Sequence, residues 1–139
     1  MTAHLGLSAL SLIVMFGIGA HASEGQRPEE DRSSPPLRVE WAEFKKLYDA
    51  KKIEVVDVRV TDAFKAGRIP GARSVPEKDI AKKAGDLKKL KKEIITYCAC
   101  PSEDSSVRAA QTLRKHGVEA RALVGGYHKW LQVEGRAER

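Results

Sequence analysis

The stretch IITYCACPSEDSSVR, residues 94–108, predicts a strand, a short loop and a helix in immediate succession. Its apolar run ends at Tyr97-Cys98, a polar loop follows, and helical spacing begins at Ser105-Ser106. The amides of such a loop and of the first helical turn favour a thiolate, or an anionic group bonded to its sulfur. The stretch therefore predicts a reactive cysteine at the end of a strand.

The composition is that of one small globular domain. The chain has 139 residues, of which 42% are hydrophobic and 32% charged, and its formal net charge is +6. No basic tract is interleaved with aromatic residues, so we expect no nucleic-acid partner and only a mild attraction for anionic substrates. Cys98 and Cys100 are the only cysteines. Two cysteines cannot form a disulfide framework, so the core must supply the stability.

Residues 1–22 have the layout of a secretory signal peptide. An uncharged, mostly apolar segment from Leu5 to Ala20 is followed by the small-x-small site Ala20-His21-Ala22. The alternative is a membrane anchor, for which the segment is short, since a spanning helix needs about 20 apolar residues. We expect cleavage after Ala22, a periplasmic or secreted protein, and membrane contact only if the leader is uncleaved. Residues 23–37 predict a flexible leader, and residues 38–139 the domain.

Strands and helices alternate along the domain, which predicts an α/β fold with a parallel sheet covered on both faces. Apolar runs indicate strands, and apolar residues three or four apart indicate helices. Gly85 could divide the third helix into two short ones. The predicted helices are 39–51, 61–67, 78–92, 105–116 and 127–133, and the predicted strands are 53–58, 74–76, 93–98 and 118–124.

Several spaced motifs resemble the rhodanese family. Those of the first half are VDVR at 56–59, Phe64, GRIPGA at 67–72 and Val75-Pro76, and those of the second half are Tyr97-Cys98, Ala109-Ala110, LVGG at 123–126 and Trp130. The resemblance covers residues 38–135. It implies a rhodanese-like, five-stranded parallel sheet flanked by helices on both faces. It also implies sulfur transfer through a cysteine persulfide.

The active-site loop departs from the usual family pattern. It contains no glycine or arginine, and it resembles a subgroup of exported or membrane-linked bacterial rhodanese domains with a Cys-x-Cys-Pro-x-Glu loop. Pro101 cannot donate a hydrogen bond. Glu103 and Asp104 are expected to raise the pKa of a nearby thiol and repel thiosulfate, to cap the following helix, or to do both. The loop residues are Ala99, Cys100, Pro101, Ser102, Glu103, Asp104, Ser105 and Ser106.

Two residues compete for the role of nucleophile. The position at the strand end favours Cys98, whereas the usual six-residue loop of the family, counted back from Ala109-Ala110, gives Cys100. We prefer Cys98 because sheet geometry fixes a strand end more firmly than a loop length. Related cell-cycle phosphatases place an arginine where this chain has Asp104, so phosphatase or arsenate chemistry is disfavoured.

Three functions follow from these residues. The first is a sulfurtransferase that moves sulfane sulfur from a small donor to a thiol acceptor. The second is a Cys-x-Cys redox or sulfide-sensing protein, and the third is a silent rhodanese module that binds a protein partner. Asp57 and Arg59 are expected to form an ion pair that supports the loop. His116 and His128 lack metal-ligand spacing and are interpreted as ordinary histidines, so we expect no metal and no cofactor.

Overall fold

Five parallel strands form a single sheet in the computed structural model, which describes residues 35–139. The strand order is β1-β5-β4-β2-β3, which places β4 in the centre. The strands are β1 (Arg38–Val39), β2 (Ile53–Asp57), β3 (Arg73–Ser74), β4 (Glu93–Tyr97) and β5 (Ala120–Leu123). The helices are α1 (Trp41–Asp49), α2 (Thr61–Ala66), α3 (Ile80–Lys89), α4 (Asp104–Lys115) and α5 (Gly126–Glu134). The predicted α/β fold with a five-stranded parallel sheet is confirmed.

The two faces of the sheet carry separate hydrophobic clusters. Ile94 packs on the face that also holds Leu113 of α4 and Leu87 of α3, whereas its neighbour Ile95 packs with Phe44 and Trp130 on the other face. Successive residues of a strand point to opposite faces, so a continuous apolar run serves both clusters. Burial on both sides fixes the register of β4 and therefore the position of the loop that follows it.

Several predicted boundaries were wrong, and three of them lie at the edges of the sheet or next to the active-site loop. Val39 does not begin a helix, because Arg38 and Val39 pair with β5 and the amide of Val124 donates to the Val39 carbonyl at 3.1 Å. The edge strand is Arg73–Ser74 rather than 74–76, since it pairs with Val56 and Asp57 only. Helix α4 begins at Asp104, one residue before the prediction.

Other predicted ends differ by one to three residues: α3 is Ile80–Lys89 rather than 78–92, and β5 is Ala120–Leu123 rather than 118–124. Helix α3 runs unbroken through Gly85 after a short 3-10 turn at Glu77–Asp79. The predicted signal peptide and residues 23–34 of the predicted leader lie outside the described residues. Within the described part of the leader, the carbonyls of Pro35 and Pro36 accept hydrogen bonds from Arg114 at 2.9 and 3.0 Å. Among residues 35–139, no helix combines the length and apolarity needed to cross a membrane.

Candidate active site

Cys98 lies directly after the central strand and is held there by the turn that begins α5. Its side chain is almost fully buried, and the residue is 3% exposed. The amide of Tyr127 donates to the Cys98 carbonyl at 2.9 Å. Gly126 has a φ of 48°, and a Cβ at this position would overlap the same carbonyl oxygen. The chain can approach Cys98 this closely because residue 126 is a glycine.

The two candidate nucleophiles, Cys98 and Cys100, form a disulfide with each other. Their Cα atoms are 5.8 Å apart, which is within the ordinary range for a disulfide. Cys100 is the more accessible of the two, since it is only partly buried. The sequence predicted that the two thiols could react with one another, and the structure shows that the loop lets their sulfur atoms meet.

The Ser106 hydroxyl lies beside the Cys98 sulfur. Its Oγ lies 3.7 Å from Sγ, and the residue is buried in the first turn of α4. The same hydroxyl donates to the Glu103 carbonyl at 2.9 Å. A hydroxyl has one proton to donate, so Ser106 stabilises a Cys98 thiolate only if this proton turns from the carbonyl to the sulfur.

Glu103 ties the loop to the rest of the domain. It adopts a left-handed backbone conformation, with a φ of 54°, and its side chain accepts a hydrogen bond from the Gly125 amide at 3.0 Å. The carboxylate also lies 3.6 Å from Arg38 Nε. The Glu103 side chain makes no capping hydrogen bond to α4, so a cap by this residue was wrong, whereas Asp104 lies in the first turn of α4 as expected for a carboxylate. No sequence pattern indicated the contact with Gly125.

The other loop residues point in different directions. Asp104 accepts a hydrogen bond from Ser102 at 2.6 Å, and Pro101 is exposed. Ser105 lines the cleft beside Cys98. The Ala99 carbonyl lies 2.8 Å from Nε2 of His128, an exposed residue of α5 that therefore contacts the loop. No local pattern in the sequence indicated this contact.

The cleft beside Cys98 has a volume of about 840 Å³. Its walls are mostly apolar and come from the residues after β2, from the 3-10 turn and from the loop. Lys78 and Arg59 contribute positive charge, and a hydrogen bond from Arg108 at 2.6 Å lowers the pKa of Glu77 below its ordinary value. Neither Glu103 nor Asp104 is part of the wall. The lining residues are Val58, Arg59, Val60, Thr61, Ala63, Pro76, Glu77, Lys78, Cys98, Ala99, Cys100 and Ser105.

The ion pair expected between Asp57 and Arg59 is present. Arg59 Nη2 lies 2.6 Å from Asp57 Oδ2 and donates to the Gly67 carbonyl at 2.6 Å. Asp57 is fully buried, and the guanidinium lies over the Tyr127 ring at 4.2 Å. Burial and the neighbouring Asp57 raise the pKa of Tyr97, which stays protonated and accepts a hydrogen bond from the Ile69 amide at 3.1 Å. The pair thus connects β2 to the residue that follows Gly126.

Within residues 35–139, no three histidine, cysteine or acidic side chains are grouped closely enough to hold a metal ion. The groups near the Cys98 sulfur include Cys100 and the buried Ser106 hydroxyl, and the charged side chains Arg59, Glu77 and Lys78 line the cleft.

Comparison with known sequences decides the family. The profile of the rhodanese-like domain matches residues 40–133. The chain belongs to the rhodanese family. It is 41% identical over 93 residues to the uncharacterized protein YqhL of Bacillus subtilis, an alignment that covers 63% of this chain and 67% of YqhL. The likeness to the exported subgroup, drawn from the loop residues, stays a prediction.

Solved rhodanese-like structures have the same fold. The crystal structure of the Bacillus halodurans protein BH2092 superposes with a TM-score of 0.66 at 30% identity, covering 73% of this chain and 76% of the other. The human single-domain sulfurtransferase TSTD1 gives a TM-score of 0.62 at 23% identity, covering 71% and 98% of the two chains. Some relatives are longer than the region that aligns with this chain. The alignment with the transcriptional regulator Rv0324 of Mycobacterium tuberculosis, for example, covers only 42% of that protein.

Gly126→Ala is expected to destabilise the domain, since it combines a left-handed backbone with an overlap on the Cys98 carbonyl. The free energy of unfolding should fall by at least about 2 kcal/mol, measured by denaturant unfolding of the reduced chain. The matched control is Gly85→Ala on the exposed side of α3, where the Cβ meets open space and should stabilise by about 0.5–1 kcal/mol. Equal changes in the free energy of unfolding for the two substitutions would contradict the close approach of Gly126 to the Cys98 carbonyl.

Asp57→Ala is expected to reduce stability more than it changes the chemistry of Cys98. It leaves Arg59 without its buried partner, at a cost of about 3–5 kcal/mol in the free energy of unfolding. Asp49→Ala, which breaks the exposed pair with Lys45, is the control and should cost at most about 1 kcal/mol. Alkylation of reduced Cys98 measures the chemistry, and unchanged stability with lost alkylation would overturn the assigned role.

Ser106→Ala is expected to raise the pKa of the Cys98 thiol by up to about one unit, because the thiolate loses the hydroxyl beside it. The measurement is the pH dependence of the alkylation rate in a Cys100→Ser background, where Cys98 is the only thiol. Ser102→Ala, whose hydroxyl bonds to Asp104 instead, should leave this profile in place. If the pH dependence of alkylation is the same with and without Ser106→Ala in the Cys100→Ser chain, the Ser106 hydroxyl does not stabilise the Cys98 thiolate.

Proposed function

We propose that the chain transfers sulfane sulfur and that Cys98 carries the sulfur as a persulfide. The observation that supports this most directly is the position of Cys98. It follows the central strand of a rhodanese domain, opens onto the 840 Å³ cleft, and has the Ser106 hydroxyl beside its sulfur. One relative's name also supports a role in sulfur transfer. The "Putative sulfur carrier protein YrkF" of Bacillus subtilis is 30% identical to this chain over 108 residues, which cover 56% of YrkF.

The proposed reaction has two steps. The Cys98 thiolate attacks the outer sulfur of a small anionic donor such as thiosulfate, which releases sulfite and leaves a persulfide on Cys98. A thiol acceptor then attacks the outer sulfur and regenerates the thiolate. Lys78 in the cleft wall favours the entry of an anionic donor, whereas the charge of Arg59 is balanced by Asp57. The carboxylate of Glu103 is engaged by Gly125 and Arg38, which reduces the repulsion expected from the sequence.

The disulfide supports a second candidate function. A bonded Cys98–Cys100 pair is the oxidised state that a redox or sulfide-sensing protein would use. In that case thiols and oxidants, and not sulfane sulfur donors, would be the reactants of the loop.

Sulfite release from thiosulfate distinguishes the two candidates. We expect the fully reduced, oxygen-free chain to release about one equivalent of sulfite per chain in a single turnover, since one thiolate accepts one sulfur. Cys98→Ser should abolish this release. Release retained in Cys98→Ser but lost in Cys100→Ser would transfer the role to Cys100. Absence of sulfite and of persulfide with either thiosulfate or polysulfide, together with ready disulfide formation, would favour the redox function.

A further inference from the structure

Cys100 is placed where it can attack a persulfide on Cys98. The two sulfur atoms are bonded in the structure, so the loop brings Cys100 Sγ to the inner sulfur of any persulfide carried by Cys98. The loop achieves this contact within a chain separation of two residues. The carbonyl of Cys100 also accepts the Glu103 amide at 3.2 Å, and Glu103 is fixed by Gly125. The fold of the loop from Cys98 to Glu103 therefore places the Cys100 sulfur next to the Cys98 sulfur.

We infer that the loop reduces sulfane sulfur to hydrosulfide, with Cys100 as the resolving thiol. This inference rests on the proposed persulfide at Cys98. The Cys100 sulfur attacks the inner sulfur of the Cys98 persulfide, forms the Cys98–Cys100 bond and breaks the bond to the outer sulfur. The outer sulfur leaves as hydrosulfide with the electron pair of that bond. The proton of the Cys100 thiol balances the step, and the two cysteines are oxidised as the sulfane sulfur is reduced.

Accessibility favours this internal attack over an external acceptor. Cys98 is 3% exposed, so an external thiol reaches its persulfide only through the cleft, whereas Cys100 is already adjacent. A tethered nucleophile acts at an effective concentration in the millimolar range or higher. External thiols well below that concentration should therefore compete poorly with Cys100, and hydrosulfide should be the main sulfur product of the reduced chain.

The reset of the loop needs a dithiol reductant. Cys100 is partly exposed, so the reductant attacks its sulfur and expels Cys98 as the thiolate that accepts the next sulfur. The second thiol of the reductant then releases Cys100 and closes the reductant's own disulfide. With thiosulfate as the donor, one dithiol and one thiosulfate give one disulfide, one sulfite and one hydrogen sulfide.

A single turnover without any external thiol tests this inference. The 139-residue chain is reduced, desalted without oxygen and mixed with thiosulfate, and sulfite, hydrosulfide and the intact mass are measured. In the wild type we expect hydrosulfide and sulfite in a ratio of about one, with a protein mass lower by two hydrogens, because each persulfide is resolved by one Cys100. In Cys100→Ser the ratio should fall towards zero, and the mass should be higher by one sulfur.

The outcomes separate this inference from the function on which it rests. Sulfite release with a stable persulfide and no hydrosulfide in the wild type would overturn the resolving role and leave sulfur transfer intact. A persulfide that moves to Cys100 would also overturn it, because the attack would then fall on the outer sulfur. Hydrosulfide from Cys100→Ser equal to that from the wild type would show that Cys100 is not the reductant. Without any sulfite release, both proposals would fail together.

Discussion

The site depends on the hydrogen bond from the Tyr127 amide to the Cys98 carbonyl. At 2.9 Å, this bond joins the end of β4 to the start of α5, and it forms because Gly126 has no Cβ to collide with the same oxygen. The Tyr127 ring lies under Arg59, which pairs with the buried Asp57 at the end of β2. The residues after three strands are thereby fixed relative to one another, and Cys98 lies at their junction.

This arrangement gives the two cysteines different environments. Cys98 is buried, anchored through its carbonyl and within 3.7 Å of the Ser106 hydroxyl, whereas Cys100 lies further along the loop and is partly exposed. A buried sulfur protects a bound persulfide from solvent, and an accessible one can exchange with thiols. The same loop can thus combine storage of sulfane sulfur with its release, provided that the loop keeps the contact between the two sulfur atoms.

The periodicity of apolar residues was sufficient to predict the strands and helices that bury those residues. The apolar runs at 53–58 and 93–98 predicted β2 and β4, and the stripe through Val107, Ala110 and Leu113 predicted α4, because burial imposes a period of two or 3.6 residues. The two-residue strand β1 was missed, since its formation depends on β5, some 80 residues later in the chain. The number of strands came from the family resemblance and not from the pattern.

The residues of the site could be predicted from the sequence, but most of the contacts between them could not. Cys98, Cys100 and the Asp57–Arg59 pair were identified from spacing and chemistry. The partners of Glu103 and His128, which are Gly125 and the Ala99 carbonyl, are set by how α5 packs against the loop, and no local pattern encodes this. Lys78 was predicted only as the first residue of the third helix, without a role in the site. Its place in the cleft wall follows from the 3-10 turn that precedes α3.

The most direct test of this account is the location of the sulfane sulfur on the chain. The reduced Cys100→Ser variant and the wild type are mixed with thiosulfate, quenched rapidly with an alkylating agent and digested, and tandem mass spectrometry separates position 98 from position 100. We expect the additional sulfur on Cys98 in both proteins, and only transiently in the wild type. An additional sulfur that first appears on Cys100 of the wild type would contradict it.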